Sequence, residues 1–196
     1  FDQATQFIEK QAQADKPFFA YIATNAPHGP FDEPPTRELM EYFQAKLPDD
    51  KRPTRACFYA MIKNIDNNIG RLLKSLERIG VDDDTIVIFL TDNGPAGGGS
   101  SGPFRAAKGS VYEGGIRTVC FFRWPGVIVP GSQVDFTAAH IDLMPTILDF
   151  CGVARPDGVK LDGRSLRGLI PERGVVKPQG WPDRRLFFQW HRGDVP

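Results

Sequence analysis

The chain has 196 residues, and its 24 Lys and Arg residues balance its 24 Asp and Glu residues, so no overall field favours nucleic acid, an anionic membrane or an acidic protein as a partner. A hydrophobic fraction of 41% is that of a globular protein, and the length suffices for one sizeable core. No apolar run approaches the about 20 residues that span a bilayer, and the first residues lack the basic and then apolar layout of a signal peptide.

The first part of the chain predicts two short helices with a buried strand between them. Residues 3–13 show a helical pattern, and the apolar run FFAYIA at 18–23 predicts the strand. The loop TNAPHGPFDEPP follows, stiffened by four prolines, and residues 36–46 predict the second helix.

A long amphipathic helix is expected next. Between Thr54 and Ile79 the apolar residues recur at spacings of three and four, with Thr54 as the N-cap and Gly80 as the stop. The run TIVIFL at 85–90 then predicts a fully buried strand that leads straight into an Asp-Asn-Gly turn. Helix and strand alternate, which indicates an α/β fold.

The second half begins with a glycine-rich loop. Residues 117–123 then predict a strand, and HIDLMPTILDFCG predicts a helix with Asp142 as its N-cap. The apolar face of that helix is expected to contain Ile141, Met144, Ile147 and Leu148. The remainder is rich in Pro, Gly and Arg, and only LFFQW at 186–190 has the composition of a strand.

Three loops carry side chains suited to chemistry. Asp92 and Asn93 follow the strand and offer oxygen atoms to a hard cation such as Ca²⁺, although two ligands fall short of the roughly six to eight that Ca²⁺ takes. His28 lies on the proline-stiffened loop, where an imidazole can donate a proton, and Lys108 lies in a glycine-bracketed loop, where an ammonium can meet an anionic oxygen. Each residue alone is also typical of an ordinary turn or surface.

Two further charged features favour structural roles. Arg117 follows Glu-Gly-Gly on a predicted strand, which indicates an ion pair beside the core. His140 and Asp142 could form a catalytic pair, but capping of the following helix explains Asp142 more simply.

Read in order, the segments TNAPHGPF, LTDNGP, FRAAKGSVYEGGIR, WPG and HIDLMPTILDFCG resemble the type I sulfatase family of the alkaline phosphatase superfamily, with arylsulfatases the closest general description. The resemblance runs from Phe18 to about Gly168 and includes LDGRSL. It implies an α/β sandwich around a mixed, mostly parallel sheet that is incomplete in this chain. Residues 1–150 would be the C-terminal portion of the catalytic domain, and residues 151–196 an extension toward the small C-terminal subdomain.

The resemblance implies a sulfuric ester hydrolase that acts on aryl or carbohydrate sulfates in a periplasmic or secreted setting. Such enzymes use a formylglycine nucleophile, made from Cys or Ser in a Cys/Ser-x-Pro-x-Arg motif. A divalent cation, normally Ca²⁺ with Mg²⁺ or Mn²⁺ as alternatives, polarises the sulfate. By resemblance, Asp92 and Asn93 are two metal ligands. Lys108 likewise contacts the sulfate and the ester oxygen, and His28 lies near the leaving group.

No segment of this chain suits the nucleophile. Cys57 and Cys120 are followed by the wrong residues, and Cys151 has Val153 where proline belongs. SGPFR, beginning at Ser101, satisfies the pattern formally, but it runs directly into the lysine loop, where the family has no nucleophile. We therefore expect the nucleophile outside this chain and the isolated chain to be inactive.

Two other functions stay open on the sequence. One is a phosphoester or phosphonate hydrolase on the same scaffold, and the other is a non-catalytic relative that keeps only the fold. The joint presence of Asp92, Asn93, His28 and Lys108 argues against the second. An incomplete sheet also predicts exposed strand edges that favour dimerisation of the isolated chain.

Overall fold

The computed structural model describes residues 1–48, 52–96, 99–174 and 183–190, without the side chain of Arg52. These residues divide into two units. Unit 1 contains Phe1–Thr85, Asn93–Thr118 and Trp190, and unit 2 contains Ile86–Asp92 with the described part of Val119–Gln189. No helix in the described ranges is long and apolar enough for a membrane span. The predicted domain boundary at residue 150 stays a prediction.

Unit 1 is organised around one long helix. Its described helices are α1 (Asp2–Gln13), α2 (Arg37–Gln44), α3 (Arg52–Ile79) and the short α4 (Glu113–Ile116). Both α1 and α2 pack against α3. The buried apolar side chains of α1 and α3 are Ile8, Ala56, Cys57, Ala60, Leu72 and Leu76. The three predicted helices of this region are therefore confirmed.

The helix ends follow local chemistry. Thr36 caps α2, because its Oγ1 accepts a hydrogen bond of 3.2 Å from the N–H of Leu39. Helix α3 begins before Thr54, with Pro53 in its first turn, where a missing N–H costs little. The predicted capping role of Thr54 is therefore wrong. Gly80 ends α3 as predicted, with the left-handed φ of 73° that a helix stop requires.

Unit 2 combines a strand pair with one helix. Strands β1 (Val87–Leu90) and β2 (Cys120–Arg123) are antiparallel, and they are the sheet that the described residues form. Helix α5 (Leu143–Phe150) follows a 3₁₀ turn at His140–Asp142. The core is a cluster of buried and half-buried side chains from Ile86, Phe122, Trp124, Ile128, Phe150, Leu166, Leu169 and Ile170.

Two predicted strands are wrong. Residues 18–23 and 186–190 form no β pairing within the described chain, and Phe19 and Tyr21 are 70% and 84% exposed. A strand needs a neighbour that accepts and donates its backbone hydrogen bonds, and an apolar run does not reveal whether that neighbour is present. Strand β1 is correctly predicted but shorter and half-buried, with Phe89 38% exposed.

Helix α5 buries a different face from the one predicted. Ile141 and Met144 are 48% and 49% exposed, whereas Thr146 and Phe150 are buried. The Thr146 hydroxyl donates to the Asp142 carbonyl at 2.5 Å and accepts from the N–H of Leu166 at 2.8 Å. A buried hydroxyl of this kind is recognised by its partners, which hydrophobic periodicity cannot show.

Asp142 is the buried polar centre of unit 2. It occupies the N-cap position of α5 as predicted, but its side chain makes no cap bond there. Its carboxylate instead accepts from the N–H groups of Ala139 and Arg164, at 2.8 and 2.9 Å, and pairs with both terminal nitrogens of Arg184. Burial raises the pKa of Asp142, but the hydrogen bonds and the charge of Arg184 outweigh it and hold this pKa below the ordinary value.

Replacing Asp142 by Asn should destabilise the intact protein by about 3 kcal/mol, because the buried charge of Arg184, whose side chain is 8% exposed, would lose the carboxylate that it pairs with. The lowered pKa adds a pH dependence. As the pH falls through the lowered pKa, the Asp142 carboxylate of the wild type becomes protonated and the free energy of unfolding should fall. Asp142→Asn has no carboxylate there, so its free energy of unfolding should show no comparable fall. Urea unfolding at neutral and acid pH measures both effects.

Glu41→Gln is the matched control for this substitution. It also removes a carboxylate from an ion pair, with Arg37, but those side chains are 59% and 92% exposed. Its effect should stay within about 0.5 kcal/mol. Equal losses for the two variants would contradict the buried-charge explanation.

Candidate active site

The first part of the candidate site is the turn that follows β1. The strand ends at Leu90, and the N–H of Thr91 still bonds to the carbonyl of Val119 at 3.3 Å. Asp92 comes next with an exposed side chain, followed by the half-buried Asn93, whose amide nitrogen donates to the carbonyl of Gly94 at 3.3 Å. The chain passes from unit 2 to unit 1 between Asp92 and Asn93. The predicted strand-to-turn transition is therefore confirmed.

His140 supports this turn from unit 2. Its Nε2 lies 2.9 Å from the carbonyl oxygen of Thr91, and because a carbonyl only accepts, Nε2 is the nitrogen that donates. The structure thus gives His140 a supporting role at the residue before Asp92, and the catalytic alternative stays untested. Sequence reasoning missed this role, since the two residues are 49 positions apart.

The lysine loop is bound to the segment after Asn93 within unit 1. The N–H of Lys108 donates to the carbonyl of Pro95 at 2.9 Å, and the N–H of Gly94 donates to the carbonyl of Gly115 at 2.8 Å. Lys108 itself is exposed. The loops that carry Asn93 and Lys108, separate in sequence, are thus brought together by backbone hydrogen bonds.

Glycines make this close approach possible. A Cβ on Gly94 would lie 2.0 Å from the carbonyl oxygen of Gly114, and a Cβ on Gly114 would lie 2.3 Å from that of Ala106. A Cβ on Gly115 would lie 2.2 Å from the carbonyl oxygen of Ser110. These contacts involve backbone atoms that cannot move aside, so each position requires glycine. The sequence signal was the Gly-Gly pair at 114 and 115, whose structural role was not foreseen.

Charged and aromatic side chains hold the loop from outside. Arg117 pairs with Glu113 one helical turn earlier, as the predicted ion pair requires, but both side chains are more than half exposed. The guanidinium of Arg117 also lies over the ring of Phe104, at 4.6 Å from its centroid. Arg105 lies in the same way over Tyr112, at 3.9 Å. The ion pair therefore stabilises the surface of the loop and not a buried core.

His28 lies on the third loop, also in unit 1. The side chain is exposed, and Nδ1 lies 2.8 Å from the carbonyl oxygen of Gly29, so Nδ1 carries the proton and a neutral ring would present Nε2 as an acceptor. Phe31, on the same loop, packs edge-on against Phe58 of α3 with centroids 5.9 Å apart. Phe58 also lies 3.4 Å from the Cβ position of Gly99. Through Phe31 and Phe58, the loop that carries His28 is thus linked to Gly99, in the segment that follows Asn93.

The structure describes the surroundings of two side chains that were weighed as nucleophiles, Cys57 and Ser101. Burial, followed by the negative charge of Asp32, raises the pKa of Cys57, which keeps its thiol neutral. The Ser101 hydroxyl donates to the carbonyl of Phe104 at 3.1 Å and thereby closes its own turn. The position of the nucleophile outside this chain stays a prediction.

The metal-binding chemistry of the described residues is partial. Asp92 and Asn93 provide carboxylate and amide oxygens, the donor type that Ca²⁺ and Mg²⁺ prefer. No group of three or more His, Cys, Asp or Glu side chains in the described ranges could hold a metal ion. The side-chain oxygen atoms of Asp92 and Asn93 therefore fit part of the coordination shell of a hard cation.

Comparison with known proteins places these features in a family. The fold is that of the alkaline phosphatase-like hydrolases: a crystal structure described as Ps i-CgsB in complex with k-i-k-neocarrahexaose superposes with a TM-score of 0.77 at 30% identity, over 84% of this chain and 36% of that one. The Sulfatase family model matches residues 1–153. The chain belongs to the sulfatase family, and both the predicted family and the predicted fold class are confirmed.

Curated relatives cover nearly all of this chain. A sulfatase of Formosa agariphila is 34% identical over 97% of the chain and 35% of the relative. Human N-acetylgalactosamine-6-sulfatase is 31% identical over 98% of the chain and 34% of the relative. The chain therefore spans about a third of the length of these relatives.

Gly114→Ala should detach the lysine loop, because the new methyl group would overlap the carbonyl oxygens of Arg105 and Ala106, at 2.5 and 2.3 Å. We expect a loss of about 2 kcal/mol in the free energy of unfolding of the intact protein. The amide of Lys108 should also lose protection against hydrogen exchange. Urea unfolding and mass spectrometry of peptides from residues 105–115 measure the two effects.

Gly70→Ala is the control. Gly70 lies within α3, and nothing approaches its Cβ position within 4 Å. Alanine there should stabilise the protein by about 0.5 to 1 kcal/mol. If Gly114→Ala proved as harmless as Gly70→Ala, the close packing of the two loops would not matter for stability.

Proposed function

We propose that the protein carrying this chain is a sulfuric ester hydrolase, and that this chain supplies part of its active site. The observation that carries the proposal is the pairing of two loops within unit 1: Lys108 is held by its own backbone N–H against Pro95, two residues after Asn93. The names of the relatives support the reaction class. The alcohol released is that of a sulfated carbohydrate, in keeping with the oligosaccharide in the complex with Ps i-CgsB.

Lys108 is assigned to the sulfate. Its ammonium is a compact positive charge, which can approach the sulfate oxygens and the bridging ester oxygen and stabilise the negative charge that develops there. The hydrogen bond from its backbone fixes where the side chain starts, so part of the cost of orienting it is met on folding.

His28 is assigned to the leaving group. Protonation of Nε2, while Nδ1 remains bonded to the Gly29 carbonyl, turns the ring into a donor aimed by that bond. Such a donor can pass a proton to the departing alcohol oxygen. The cis Ala26–Pro27 and Gly29–Pro30 peptides flank it in the loop.

Asp92 and Asn93 are assigned to a divalent cation, with Ca²⁺ first and Mg²⁺ or Mn²⁺ as alternatives. When bound, the cation would polarise the sulfate, and the nucleophile would be a formylglycine outside this chain. His140 contributes by donating a hydrogen bond to the carbonyl of Thr91, the residue directly before Asp92.

The proposed setting is periplasmic or secreted. The isolated chain is proposed to dimerise through its exposed strand edges.

Lys108→Ala in the intact protein should lower kcat/KM for a sulfate ester by about a hundredfold or more, the effect of removing one preorganised donor. Lys108→Arg should recover only part of this, because a planar guanidinium presents its charge differently from a point-like ammonium. Lys63→Ala is the control, since Lys63 is half exposed on α3 and pairs with Asp66. Steady-state kinetics decide, and a Lys108→Ala enzyme with wild-type kcat/KM would rule out the assigned role.

The isolated chain should show no turnover of an aryl sulfate, because the proposed nucleophile lies elsewhere. Calorimetric titration of the chain with Ca²⁺ should give only weak binding, since two side chains supply a minor share of the roughly six to eight oxygen ligands. Clear turnover by the isolated chain would refute the proposed division of the site.

A further inference from the structure

Trp190 lies against the lysine loop within unit 1. Three atoms of its six-membered ring, Cζ2, Cη2 and Cε2, lie 3.3, 3.6 and 3.8 Å from the position that a Cβ on Gly109 would occupy. Trp190 and Gly109 are 81 positions apart in the sequence, so this is a tertiary contact. A side chain at Gly109 would press on the ring, and the φ of 84° at this residue independently favours glycine.

Half of the Trp190 surface remains exposed, at 50%. The six-membered ring thus lies against Gly109 while part of the side chain remains open to solvent. A large aromatic side chain kept partly in water loses much of the free energy that full burial would give. Tryptophan is enriched at binding interfaces where one part of the ring is apolar and another part stays in water.

The contact with Gly109 brings the indole to the loop that carries Lys108. Gly109 directly follows Lys108, and consecutive Cα atoms are about 3.8 Å apart, so the ring contact and the ammonium originate from neighbouring points of one loop. A sulfate ester has two dissimilar parts, a charged group and an organic ring or chain. An ammonium suits the first part, and an indole suits the second.

A pyranose ring is the organic part that matches best. Its C–H groups carry a slight positive charge, which the electron-rich face of an indole attracts, and its hydroxyl groups remain in water at the edges. An aryl ring could also stack on the indole but has no hydroxyl groups to keep hydrated. The half-exposed Trp190 suits an amphipathic sugar, which can stack one face on the indole while its hydroxyl groups stay hydrated.

We propose that Trp190 is a specificity-determining residue that stacks on the pyranose ring bearing the sulfate while Lys108 holds the sulfate itself. The proposal rests on the proposed sulfatase function. It assigns a substrate-binding role to a residue of the segment 186–190, whose composition predicts a strand. Bond making and breaking are unaffected by it, since the indole takes no part in the reaction.

The experiment compares Trp190→Ala and Trp190→Phe with the wild type in the intact protein. The substrates are a panel of singly sulfated galactose and glucose isomers together with 4-nitrophenyl sulfate, and inorganic sulfate serves as a competitive inhibitor without a ring. For the sulfated monosaccharide with the highest wild-type kcat/KM, Trp190→Ala should raise KM about tenfold with kcat nearly unchanged. Its Ki for inorganic sulfate should stay within about twofold, and Trp190→Phe should recover most of the KM.

Phe187→Ala is the matched control, because Phe187 is an exposed aromatic residue of the same segment, at 93%. It should leave KM unchanged. An equal loss of affinity for the monosaccharide and for inorganic sulfate would mean that Trp190 only supports the loop, and no change in KM would mean that it binds nothing. Either result overturns the proposal. Turnover restricted to 4-nitrophenyl sulfate would overturn it too and leave the sulfatase function standing, whereas a wild type inactive on every ester would refute the proposed function itself.

Discussion

The candidate site depends on the absence of side chains at three positions. Gly94, Gly114 and Gly115 let backbone meet backbone at distances that even one methyl group would prevent. The hydrogen bonds from Gly94 to Gly115 and from Lys108 to Pro95 become possible only at that separation. The Lys108 side chain therefore starts from a main-chain position that backbone hydrogen bonds hold.

A second constraint acts inside unit 2 and is ionic. The carboxylate of Asp142 joins the start of α5 to the turn at Arg164 and to Arg184. Gly163 is part of the same arrangement, because a Cβ there would lie 1.9 Å from the carbonyl oxygen of Ile141. Buried ion pairs seldom add much net stability, but they penalise every alternative packing that would separate the charges. Asp142 therefore acts chiefly by fixing one arrangement of these segments.

The sequence predicted the helices well because their signals are local. The apolar spacing along α3 and the stop at Gly80 each depend on neighbours within a turn or two. The two missed strands failed for the opposite reason, since pairing depends on distant partners.

The site residues divide in the same way. Asp92, Asn93, His28 and Lys108 could be singled out by their order along the chain, which reflects the family. The support from His140 and the contact of Trp190 with Gly109 could not, because each joins positions far apart in sequence and lacks any pattern of its own. The ion pair of Asp142 with Arg184 could not be predicted either, because the local sequence indicated only a helix cap.

Thr91 illustrates how a residue without reactive chemistry can set the geometry of one that has it. Its N–H is bonded to Val119 and its carbonyl to His140, so both of its main-chain polar groups are engaged. A peptide unit is planar, and the plane that contains the Thr91 carbonyl also contains the nitrogen and Cα of Asp92. Fixing this peptide plane therefore fixes the Cα from which the Asp92 side chain starts, and the side chain can still rotate about the N–Cα bond (φ) and about its own side-chain bonds.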